Sequence, residues 1–312
     1  RVGVQFVRQS PRMRAVLWRI SVFFLHATAL MALLPLVAKG LEGGGAGTFT
    51  LLLASMGAGA IVAALFLPRL RQAMPRDALV LRGTLVQAAA TGVMAWAPNV
   101  YVAVPAMVLA GMAWITTANT LSVSAQLALP NWVRARGMSI YQMSIMGATA
   151  AGAALWGQVA SLTDVQTSLA VAAVSGGIVM AVVQRLVADR AIEEDLSPSS
   201  AFKAPTAPTP PEAGRVVVTI EYFIHPARAN EFRAVMQESR RSRLRQGALH
   251  WQLMHDISNP TRYVERIEDE SWTEHLRRFD RVTASDVALR ERKLAFHTGD
   301  APPKVTRWTV ER

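Results

Sequence analysis

The chain has 312 residues, 51% hydrophobic and 18% charged, with no cysteine, a mean hydropathy of +0.23 and a net charge of +11. Soluble proteins carry about 25% charged residues, so the composition argues against an ordinary cytosolic enzyme; lack of cysteine excludes disulfides, thiolate metal sites and a cysteine nucleophile. The positive charge invites a nucleic-acid partner, yet residues 1–190 hold 14 Lys and Arg against 4 Asp and Glu, while 191–312 hold 19 against 18. The excess sits in the apolar part, which excludes a solvated nucleic-acid face.

Six apolar stretches occur in order, near 16–38, 49–68, 78–97, 101–127, 138–160 and 165–187. Each is close to the ~20 residues that a helix needs to cross a membrane, and five more after the first exclude a signal peptide. The basic residues alternate from loop to loop. Arg1, Arg8, Arg12, Arg14 and Arg19 come at the start, Arg69, Arg71, Arg76 and Arg82 between the second and third stretches, Arg134 and Arg136 between the fourth and fifth, and Arg185 and Arg190 at the end. The other loops, 39–48, 98–100 and 161–164, hold only Lys39. Thirteen arginines against one lysine predict that both ends of 1–190 lie in the cytoplasm.

Local chemistry supports these boundaries. Gly43-Gly44-Gly45 and Ala97-Pro98-Asn99 make turns, Pro130 ends the fourth helix, and Trp18, Trp96 and Trp132 suit the membrane interface. Ser144, Ala148 and Gly152 recur every four residues, a spacing that lets helices approach closely.

Polar residues inside the spans point to an aqueous cavity or to interhelical hydrogen bonds. Asn119, Ser122 and Gln126 share one face of the fourth helix, among Thr116, Thr117, Thr120 and Ser124, and the fifth carries Tyr141, Gln142 and Ser144. His26 is the ionisable group read as lying well within a span, suited to substrate binding, to titration or to packing. The candidate substrate contacts are therefore His26, Asn119, Ser122, Gln126 and Gln142. No span has a central carboxylate.

The segment 7–17, Val-Arg-Gln-Ser-Pro-Arg-Met-Arg-Ala-Val-Leu, and the loop 130–143, Pro-Asn-Trp-Val-Arg-Ala-Arg-Gly-Met-Ser-Ile-Tyr-Gln-Met, resemble the second half of a major facilitator superfamily transporter. The resemblance is to its enterobactin-exporter-like, transmembrane secretion effector branch. It implies half of a major facilitator fold, an N-terminal six-helix partner half, and alternating access around a cavity lined by the first, second, fourth and fifth helices here. It also implies an exporter of small organic molecules, siderophore or drug-like, in a bacterial cytoplasmic membrane. Because the family has twelve helices and this chain begins with Arg, a fragment lacking the first six is expected. The loop 69–76 keeps its arginines but lacks the family's Gly and Asp-Arg pair; the nearest acid is Asp77.

Residues 191–214 read as a linker, with a Pro-rich spacer at 204–211. The soluble segment 215–312 follows the order strand, helix, strand, strand, helix, strand: 215–224, 227–245, 250–256, 262–268, 272–296 and 305–310. This order predicts a ferredoxin-like α+β domain. The stretches 271–277, Ser-Trp-Thr-Glu-His-Leu-Arg, and 281–286, Arg-Val-Thr-Ala-Ser-Asp, resemble the dimeric α+β barrels of antibiotic-biosynthesis monooxygenases. That resemblance implies a homodimer through 215–312 and a metal-free oxidation, with no cofactor, of an enclosed substrate. A tethered monooxygenase is accordingly the alternative to a transporter with an accessory tail. Where a polar residue precedes Arg281 in that family, this chain has Phe279 and Asp280. His275 is a candidate for orienting substrate or transferring a proton, set against a surface histidine on an amphipathic helix. His250 and His255 fall on opposite strand faces, which disfavours a shared metal site. The run 240–245 suits either contact with anionic lipid or a solvated helix end.

Overall fold

Where the sequence is apolar over about 20 residues, the backbone has no water to bond and closes its own hydrogen bonds as helix. In the computed structural model, which describes residues 2–41, 44–188, 195–199, 201–202, 204–205 and 214–310, this gives six long helices. They are α2 (Pro11–Gly40), α3 (Ala46–Ala73), α4 (Arg76–Ala95), α5 (Val100–Leu127), α6 (Arg134–Leu162) and α7 (Val165–Ala188), preceded by a short α1 (Val2–Gln9). All six are long and apolar enough to cross a membrane. Gly43 and the Pro-rich stretch 206–211 lie outside the described residues. The helices overrun the apolar stretches, so Arg12, Arg14 and Arg19, expected ahead of the first span, lie inside α2.

The chain divides into two compact units: Arg12–Leu127 with Met138–Ala191, and Arg1–Pro11 with Ala128–Gly137 and Ile192–Arg312. In the first, small residues set the closest helix approaches. A Cβ on Gly111 of α5 would overlap the Met56 carbonyl of α3, and one on Gly59 would overlap the Val108 carbonyl. Gly152, from the small-residue series, meets the Leu25 carbonyl of α2 in the same way, and Trp156 donates its indole N–H to that oxygen at 2.8 Å.

Arg19 is buried and forms a bidentate pair with Asp77 at the start of α4, at 2.8 and 3.3 Å. Gln184 of α7 donates to the Asp77 carbonyl at 3.1 Å. Three helices thus meet at one residue. Asp77→Asn leaves the Arg19 charge buried beside its Nε, which already lacks a partner among the described residues. Because Asp77 is half-exposed, the expected cost is about 1–3 kcal/mol, below that of a fully buried pair. Thermal melting in detergent should show a lower Tm for D77N, and R19Q/D77N should recover part of it.

In the second unit four antiparallel strands form one sheet in the order β2–β3–β1–β4: β1 (Arg215–Phe223), β2 (His250–His255), β3 (Arg262–Asp269) and β4 (Val305–Val310). With α8 (Ala229–Arg245) and α10 (Ala284–Leu294) this is the ferredoxin-like arrangement. The period-2 alternation places Val216, Val218, Ile220 and Tyr222 of β1 on the face shared with Tyr263, Glu265, Ile267 and Asp269 of β3. Phe232 and Met236 of α8 close a core against Tyr222, Tyr263 and Phe296.

The expected helix 272–296 is broken into α9 (Trp272–Arg277), a 3-10 turn at Phe279–Arg281, and α10. The cause is capping. Ser271 accepts from the Glu274 N–H at 3.2 Å to start α9, and Thr283 and Asp286 form a capping box that restarts the chain as α10. Residues 195–199 of the expected linker are bound to the tail, with Ser199 N–H to the Val282 carbonyl and Ala284 N–H to the Ser197 carbonyl, both at 3.0 Å. At the other end of this unit Gln5 of α1 donates to the Ala248 carbonyl at 2.6 Å, and the Arg281 guanidinium lies 5.1 Å from the Trp132 ring centre.

Candidate functional site

The polar residues of α5 separate by face. Thr116, Thr117 and Thr120 are buried, and Thr120 returns its hydroxyl to the Thr116 carbonyl at 2.6 Å. Asn119 and Gln126 are exposed and Ser122 is half-buried between them. The Asn119 side-chain oxygen accepts from Arg71 of α3 at 2.6 Å, and Gln126 donates to Ser122 at 3.5 Å. The expected shared face is therefore a polar ladder with a guanidinium at one end, open rather than turned into its own bundle. Gln142 of α6 is also exposed. His26 is partly buried, donating Nδ1–H to the Val22 carbonyl at 2.8 Å, with its ring 5.7 Å from Trp156. Among the described residues no hydrogen bond joins His26 or Gln142 to the α5 ladder.

The tail holds a cavity of about 460 Å³ between the sheet and α8, α9 and α10. His275 lines it and is 3% exposed, so the surface-histidine expectation is corrected: α9 is a single short turn whose inner face packs on β3. Its Nδ1 lies 2.8 Å from Asp269, and its Nε2 3.3 Å from the Nε of Arg307. An arginine N–H only donates, so Nε2 accepts and Nδ1–H points to the carboxylate. Arg278 makes two further bonds to Asp269, at 2.8 and 2.7 Å. Burial alone would raise the Asp269 pKa, but the bond from His275 and the charge of Arg278 hold it below the usual carboxylate value.

Behind the cavity wall Glu265 is fully buried and accepts from Ser239 at 2.9 Å, Trp251 at 2.9 Å, Tyr222 at 3.2 Å and Lys293 at 3.2 Å. Burial opposes its ionisation, and Lys293 and Arg243 outweigh burial, so its pKa falls well below the ordinary carboxylate range. Burial lowers Lys293 to about 8, only partly offset by Glu265. The arginine run expected to touch anionic lipid or to lie at a solvated helix end is divided. Arg240 and Arg241 are exposed, whereas Arg243 reaches Glu265 at 3.5 Å and buried Arg245 lies 3.8 Å from Asp286.

The sequence carries a signal for each of these clusters. Glu265 and Asp269 occupy the inward register of a strand, alternating with Tyr263 and Ile267. Asp286, Leu289 and Lys293 recur at helical spacing on one face of α10.

A family model described as transmembrane secretion effector, from the major facilitator superfamily, matches residues 1–312. The chain belongs to that family. The transporter is thus a multi-pass membrane protein, and its substrate is a small molecule. A crystal structure from Bordetella bronchiseptica, provisionally assigned as an antibiotic biosynthesis monooxygenase, is similar to the tail. It is 21% identical, spans 32% of this chain and 99% of its own, and has a TM-score of 0.28. No curated protein matches the chain.

Proposed function

We propose that the transporter exports small organic molecules, siderophore or drug-like, by alternating access, with its C-terminal domain as an accessory. The observation that carries this reading is the exposed ladder Asn119–Ser122–Gln126, with Arg71 bonded to Asn119, on a helix otherwise apolar enough to span a membrane. Polar groups at membrane depth are costly unless they face water or partner protein. A second six-helix half set against this face would enclose a polar cavity opening toward the arginine-rich end of α3, to which His26 and Gln142 would add contacts. The alternation of thirteen arginines against one lysine supports a bacterial cytoplasmic membrane location with 215–312 on the cytoplasmic side. The tail would pair with a second copy through its sheet.

Asn119→Leu with Gln126→Leu should cut efflux of a fluorescent drug-like substrate about tenfold or more at unchanged protein level, since each lost cavity hydrogen bond is worth about 0.5–1.5 kcal/mol. Unchanged efflux would remove the cavity reading. Deleting 215–312 tests the other half of the proposal. If efflux survives while an oxidised product disappears, the tethered monooxygenase takes its place.

A further inference from the structure

We propose that the tail cavity is a binding site for a small organic anion, a carboxylate on an apolar body, covered by Phe202. The cavity, about 460 Å³, is within the range of ligand sites. Its floor is apolar, from Val218, Ile220 and Ile267 of the sheet and Leu289 of α10. Its charged lining is almost of one sign: Arg243, Arg278, Arg290, Lys293 and Arg307 against Asp286 alone.

The carboxylates around the site are already committed. Glu265 answers Lys293 and Arg243, Asp269 answers Arg278, and Asp286 faces Arg245. Two lining cations remain without an acid among the described residues. Arg307 gives its Nε–H to His275, and the Arg290 guanidinium lies 4.9 Å from the centre of the Phe202 ring. Burial lowers the Arg307 pKa, and among the described residues no acid offsets it.

Like charges lining one cavity repel one another, and an anion between them removes that repulsion while bonding to both forks. A cationic ligand would be excluded for the same reason.

Phe202 belongs to the segment between α7 and the tail, and residues 195–199 just before it are bonded along 282–285. Ala201 and Phe202 line the cavity, so an occupant must stack on Phe202 or displace it. On the opposite flank, Phe279 and Val282 line the cavity on either side of Arg281, whose guanidinium bonds the Gln246 carbonyl at 2.7 Å and lies over Trp132. Trp132 stands two residues before α6.

The test uses the full chain in lipid nanodiscs, with radiolabelled 1-naphthoate as probe, 1-naphthalenemethanol as its neutral counterpart, and empty nanodiscs subtracted. Saturable binding of naphthoate at one site per chain is expected. Arg290→Gln with Arg307→Gln should weaken it at least tenfold, and Phe202→Ala should change it severalfold. Both arginines are exposed and outside the core, so these variants should keep the wild-type Tm. Absence of saturable binding, equal affinity for the alcohol, or naphthoate binding unchanged in R290Q/R307Q would each overturn the proposal. The last outcome would place the probe elsewhere, including the transport pathway, so this test stands apart from that of export.

Discussion

Glu265→Gln should unfold the tail at temperatures where the wild-type domain is intact, at a cost of about 3–5 kcal/mol, the range for breaking a buried pair by removing one partner. Two cations, Lys293 and Arg243, depend on this carboxylate, and Lys293 is itself buried. Hydrogen exchange of the β1 and β3 amides in the full chain reads the loss directly. Removing the pair together, E265L/K293M, should recover much of it, because apolar groups of similar volume leave no uncompensated charge. The pH dependence follows from the sign of the shift. Glu265 has a folded pKa below its ordinary value of 4.5, so its contribution is fully present above that value and is lost as pH falls towards the folded pKa. The tail should therefore lose stability below about pH 4.5, and the E265Q variant should show a flatter acid limb. An equally steep limb in E265Q would assign acid sensitivity to Asp269 and the other depressed carboxylates.

Gly111→Val should abolish accumulation of monodisperse transporter. The added carbons meet the Met56 backbone rather than a flexible side chain, so neither helix can relax without moving apart. The cost should reach the upper end of the overpacking range, about 3 kcal/mol or more. Gly57→Val is the control, since nothing lies within 4 Å of a Cβ there. Fluorescence-detected gel filtration of the two variants provides the comparison; similar profiles would show that the α3–α5 approach tolerates separation.

Much of the architecture was legible along the chain because its determinants are local and repetitive. Twenty apolar residues in a row leave a helix few alternatives, and alternation in 250–256 and 262–268 is the pleat itself. The errors came where a short-range cap competed with a longer pattern. Thr283 and Asp286 interrupt an otherwise helical stretch, and a reading that counts apolar spacing does not weigh two hydrogen bonds at residue 283. Gly111 and Gly59 are less visible in the sequence than the series Ser144, Ala148 and Gly152 for a related reason. The regular series is visible in one helix, whereas a close approach depends on where a second helix's carbonyl falls.

Hydropathy and strand patterning along the chain were enough for six helices long and apolar enough to cross a membrane and for a tail of ferredoxin-like order, since each depends on residues a few positions apart. Pairings across the fold needed coordinates: Arg19 with Asp77, Arg71 with Asn119, His275 with Asp269, and Glu265 with Lys293. The members of these pairs stand 58, 48, 6 and 28 residues apart. Even the nearest is joined across a strand end and a helix turn rather than along one element. A buried charge must find its counter-charge in space, and the chain path alone does not say which neighbour the fold will bring to it.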